Sequence, residues 1–119
     1  MKLITLAQHK QLLANGMANA TPLSEDGDTH DFAPVVKLFC PWGAATWLLS
    51  EIDPEDEDIA FGLCDLGFGS PELGTVRLSE LEAVRGPGGL RLERDRHFDA
   101  EMTLTAYADL ARQTSRIGV

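Results

Sequence analysis

Between Val35 and Leu78 the chain repeats one pattern: a short run rich in β-branched and aromatic residues, then a cluster of Pro, Gly or acidic residues. Runs this short do not make stable helices, and their bounding turn chemistry reads as strands. Val35–Cys40 is followed by the turn Pro41-Trp42-Gly43-Ala44-Ala45, and Thr46–Ile52 returns. The five-residue spacing predicts a hairpin. Ile59–Leu66 and Thr75–Leu78 complete four strands, and Leu90–Glu93 reads as a fifth, at an edge. Trp47 and Leu49 alternate with Leu48 and Ile52, which makes Thr46–Ile52 apolar on both faces and so a central strand. Gly62 inside the third run marks a bulge or a close approach by another group.

Helix signals flank this sheet. Thr5 and Gln8 form a capping box that opens a helix from about Leu6 to Ala14, and Asn15-Gly16 reads as its stop. Ser79 to Glu82 is a second box ahead of one or two turns ended by Gly86-Pro87. Thr103 or Thr105 caps a last helix whose inner face is Leu104, Tyr107, Ala108 and Ala111, with fraying expected after Ser115. One domain is expected over residues 1–119. It divides into an N-terminal helical segment (1–18), an acidic connector (19–34), a sheet core (35–93) holding the short helix 80–84, and a C-terminal helix (103–114). The fold class is α+β: an antiparallel meander of about five strands with the N- and C-terminal helices on one face. Trp47, Leu49, Phe61, Leu63, Val76 and Leu78 are expected to share the core face.

Charge narrows the function. The net charge is −9, and all of it arises before Arg77: three Lys against twelve Asp or Glu there, seven Arg against seven acids from Arg77 onward. Direct nucleic-acid binding is disfavoured, because phosphate contact needs a basic stripe. A basic partner is not. No apolar run approaches the roughly 20 residues of a membrane span, and MKLITLAQHK breaks its apolar run too early for a secretory leader. Cys40 and Cys64 make no metal spacing and sit in apolar runs, which favours a reducing cytoplasm and two buried thiols over a disulfide.

The run Glu51, Asp53, Glu55, Asp56, Glu57, Asp58 places six carboxylates in eight positions. It lacks the glycine and alternating ligands of a calcium loop. It reads as a solvated turn or as a surface for a basic partner. Trp42, at a hairpin tip, either folds back on the sheet or anchors that partner. His97 stands between Asp95 and Asp99, types that can perform acid–base chemistry, but no nucleophile is assigned beside them. His9 and His30 stand alone, so neither a metal nor a cofactor is expected. Gly67-Phe68-Gly69-Ser70-Pro71 lacks the Lys-Ser/Thr of a phosphate loop and reads as a tight turn that buries Phe68.

The strings ATWLLSEIDPEDEDIAFGLCDLGFGSPELG and LERDRHFDA resemble a family of small bacterial proteins catalogued as domain of unknown function 2958. The resemblance covers about Val35 to Ala111. It implies a setting on proteobacterial plasmids and integrative elements, near anti-restriction and plasmid-maintenance genes, and brings no activity or catalytic residue with it. The expected function is therefore a small acidic, non-enzymatic protein of a mobile element that binds a protein partner, as an anti-defence or regulatory adaptor or a mimic of DNA. The alternative is an accessory hydrolytic or nucleic-acid-processing enzyme using His97 and nearby carboxylates.

Overall fold

The computed structural model describes residues 3–20 and 29–119. Four strands follow one another as a meander: β1 (Val36–Phe39), β2 (Thr46–Asp53), β3 (Asp56–Asp65) and β4 (Glu72–Arg77). The two-residue β5 (Glu93–Arg94) crosses back to the free edge of β1, and the spatial order is β4-β3-β2-β1-β5, antiparallel throughout. The helices are α1 (Leu6–Ala20), α2 (Leu78–Ala83) and α3 (Leu104–Thr114). The chain is α+β, with a five-stranded antiparallel sheet and a helix toward each terminus.

The helices do not share a face. Leu12 of α1 packs with Val36, Leu38, Trp47, Leu49, Ile52 and Ala60, joined by Leu78 and Leu81 of α2. Leu104, Tyr107, Ala108 and Ala111 of α3 pack with Leu48 and Leu63 on the other side of the sheet. The expectation of two helices on one face is thus corrected. The reason is β2 itself: a strand apolar on both faces requires a cover on both. Phe61 and Leu63 accordingly face α3, apart from Trp47, Leu49, Val76 and Leu78.

A bulge sets which residues go where. Leu49 pairs with Gly62 but Glu51 pairs with Phe61, so Ser50 is an extra residue in β2. The extra residue shifts the alternation, and Ile52 joins Trp47 and Leu49 instead of Leu48. Gly62 lies opposite, where a Cβ would stand 2.0 Å from the Leu48 carbonyl oxygen. Asn15 is buried and its amide donates to the Ser50 carbonyl at 2.9 Å. At Gly16 a Cβ would lie 1.7 Å from the Ile52 carbonyl oxygen. Asn15-Gly16 is therefore the seam that seats α1 on β2, and the helix runs through it to Ala20.

The ends of the elements follow local chemistry in two cases out of three. Thr5 and Gln8 make their reciprocal capping bonds at 3.0 and 3.1 Å, and the Thr103 hydroxyl accepts from the Ala106 amide. Ser79 does not cap α2 as its box predicts, because a carboxylate from another strand occupies that role. After α3, Ser115 adopts a left-handed conformation with φ 62°. The tail does not simply fray there: the Ile117 amide donates to the buried carboxylate of Asp65 at 2.9 Å. Nor is Phe68 buried. It is 87% exposed between Gly67 and Gly69, both at positive φ. Those φ values turn the loop outward.

Candidate functional site

The acid run is built into strands. β2 continues to Asp53 and β3 resumes at Asp56, which leaves only Pro54 and Glu55 as the turn. Asp53 accepts the Glu55 amide at 2.9 Å, and Asp56 accepts the Asp58 amide at 3.1 Å. Arg77 on β4 approaches Asp56 at 3.3 Å and Asp58 at 3.6 Å. Asp58 accepts both the hydroxyl and the amide of Ser79, at 2.6 and 2.9 Å, and so caps α2 from outside. Those two bonds, with Arg77 beside them, hold the Asp58 carboxyl below its ordinary range. Glu57 lies 3.0 Å from His9 Nε2, an ion pair when the imidazole is protonated. Asn19 of α1 donates to Glu51. Among the described residues only Glu55 of the six carboxylates accepts no hydrogen bond.

Beside this hairpin lies a cleft of about 350 Å³. Ile52, Ile59 and Phe61 contribute apolar lining, and Glu51, Asp53 and Glu55 contribute carboxylates to the same wall. Asn19 closes the α1 side. Glu51 and Phe61 also line a neighbouring cleft of about 260 Å³ that reaches His30, Asp31 and Leu104. Asp31 accepts the Thr105 amide and hydroxyl. Partial burial raises its pKa, but the bonds from Thr105 and Thr103 outweigh that and hold it below the usual carboxylate range. Within the connector 19–34, residues 21–28 lie outside the described residues, Glu25, Asp26 and Asp28 with them.

Trp42 is half-buried and joins the α1-side core. Its indole sits so close over Gly86 that a Cβ there would lie 2.5 Å from the ring. The ring is folded back and fastens the β1–β2 turn to the segment after α2. His97 is exposed and lines neither cleft. Its backbone amide donates to Asp95 at 2.9 Å, which holds the Asp95 carboxyl low, and Asp95 also pairs with Lys37 at 3.5 Å. Asp99 is exposed. Cys40 and Cys64 are unpaired and half-buried, and burial pushes the Cys64 thiol up.

The partners of the acid run escaped sequence reasoning. His9, Asn19, Arg77 and Ser79 are unremarkable residue types, and the separations reach 48 positions along the chain. Among the described residues no group of three or more His, Cys, Asp or Glu converges to hold a metal ion. No helix among them is long and apolar enough to cross a membrane. No curated protein and no solved structure matches the chain. The family model described as "Protein of unknown function (DUF2958)" matches residues 3–118. That span takes in the N-terminal helix and the connector, which the resemblance left out. The chain belongs to this family.

Proposed function

We propose that the protein is a non-enzymatic interaction module that takes a basic segment of a partner protein into the cleft at the β2–β3 turn. The observation that carries this reading is the joint lining of that cleft: apolar Ile59 and Phe61 beside Glu51, Asp53 and Glu55. A Lys or Arg side chain has an aliphatic stem and a cationic head, which suits such a wall. A cleft of about 350 Å³ accommodates a few side chains of that kind. The net charge of −9 supplies long-range attraction for a basic partner. Asp56, Glu57 and Asp58 are engaged by Arg77, His9 and Ser79. That favours recognition at one pocket over imitation of a continuous phosphate backbone. The mobile-element setting implied by the family resemblance would make the partner a defence or regulatory protein of the host. No observation favours the accessory-enzyme alternative, since His97 lines neither cleft at the hairpin.

The test is an amide-resonance titration with a short peptide alternating Arg and Leu, repeated at two salt concentrations. Shifts should concentrate at Asn19, Glu51–Glu55 and Ile59–Phe61, and weaken steeply with salt. The double variant D53N/E55Q should lose most of the binding. Equal binding by that variant, or shifts spread evenly over all acidic surfaces, would reject the cleft as the site.

A further inference from the structure

A further cleft, away from the β2–β3 turn, carries the opposite charge. It lies between α2, β5 and the residues just before α1, with a volume of about 240 Å³. Leu3, Leu81 and Leu92 give it apolar lining, and the last two are nearly fully buried. Arg91, Arg94 and Arg96 line it as well. Three arginines within six positions are notable in a chain with almost twice as many acids as bases. Among the described residues none of the three has a carboxylate within ion-pair distance, although Glu82 and Glu93 line the same cleft. Arg94 is fixed: it is half-buried, shares the face of Leu38 through its pairing with β1, and donates to the Leu3 carbonyl at 2.8 Å. That bond uses one of its several N–H donors and leaves the rest of the planar fork for a ligand.

We infer that this cleft binds a small molecule bearing a single oxyanion, carboxylate or phosphate, on a short apolar body. The guanidinium forks match either head group through paired charge-assisted hydrogen bonds. The leucines match the body. A polyanion such as a nucleic acid is disfavoured by Glu82 and Glu93 at the cleft and by the net charge of the whole chain. The cleft is small for a whole nucleotide cofactor, since ligand pockets usually run from roughly 300 to 1,000 Å³.

The experiment uses the full chain and backbone amide resonances at physiological ionic strength. Phenyl phosphate and phenylacetate are titrated in separate arms, with a short single-stranded oligonucleotide as the polyanion. At least one of the two small probes should produce saturable shifts confined to Leu3, Leu81–Glu82 and Arg91–Arg96, and the stronger arm identifies the head group. The variant R91Q/R96Q changes two exposed side chains and leaves the Arg94 anchor in place. It should weaken binding by roughly tenfold or more, as loss of charge-assisted bonds predicts. Saturation by neither small probe, unchanged affinity in R91Q/R96Q, or tighter binding of the oligonucleotide would each overturn the inference.

Discussion

Replacing Gly16 by Ala tests the seam between α1 and β2, because two physical effects predict opposite signs. Helix propensity alone favours Ala over Gly by about 0.8–1.0 kcal/mol inside a helix. The seam predicts the reverse. A Cβ at this position would lie 1.7 Å from the Ile52 carbonyl oxygen, where a carbon–oxygen contact needs about 3.3 Å. The obstacle is strand backbone in the middle of the sheet, so the helix must retreat by roughly 1.5 Å. That retreat carries the 2.9 Å bond from Asn15 to Ser50 beyond hydrogen-bonding range. Overpacking costs about 1–3 kcal/mol, and a buried carbonyl left without its donor costs about 1–3 kcal/mol more. Subtracting the propensity gain leaves a net destabilisation of about 1–5 kcal/mol. Urea denaturation followed by tryptophan fluorescence should show a lower midpoint at unchanged slope. Ala7→Gly, on the exposed side of the same helix, should cost only about 1 kcal/mol and serves as the propensity control. A Gly16→Ala variant as stable as the parent or more stable would refute the close packing of α1 on Ile52.

Asp58 links folding to pH. Its carboxyl is lower in the folded chain than in the unfolded one, so its contribution is complete above the ordinary carboxylate pKa and is lost as pH falls through the folded value. The stability gap between the parent and Asp58→Ala, read as urea midpoints, should be open at neutral pH and close in acid; a gap that widens in acid would contradict the cap. Cys64 should react slowly with a thiol reagent in the native protein at neutral pH, since burial raises its pKa, and rapidly once denatured. Equal rates in both states would disprove the shielding. Phe68→Ser should leave thermal stability within about 0.5 kcal/mol, as expected of an exposed side chain. A large loss on calorimetry would mean that the loop packs inward.

Strand positions were legible because β-branched and aromatic runs bounded by turns have few other uses. The faces were not. One additional residue, Ser50, reverses every later side chain in β2, and a bulge residue has no composition that announces it. The role of Gly16 is hidden for a related reason. A glycine that ends a helix and a glycine that lets a strand come close look identical in sequence, and only the position of β2 distinguishes them. The box at Ser79 had the right residues, but α2 is only six residues long and the Asp58 carboxylate reaches its first turn from β3. The acid run was visible as charge, whereas its division into bonded and free carboxylates depends on Asn19, His9 and Arg77, which tertiary structure brings in. Trp42 stood open between two readings, and its contact with Gly86 could not be inferred from either neighbourhood alone.

The short stretch from Thr29 to Pro34 has consequences for how the molecule comes apart. At one end, the His30 amide donates to Asn19 at the close of α1, and Asn19 donates back to the His30 carbonyl. In the next two residues, the Asp31 carboxylate and the Phe32 carbonyl accept from the first turn of α3. The same six residues therefore bind helices lying on opposite sides of the sheet. Neither helix can peel away without exposing the other's attachment, and β2 contributes side chains to both layers beneath them. Amide hydrogens in α1 and α3 should thus exchange through one shared opening event with a common free energy, as a single cooperative unit and not as two. A cut in this stretch would separate the two sides and let each open on its own.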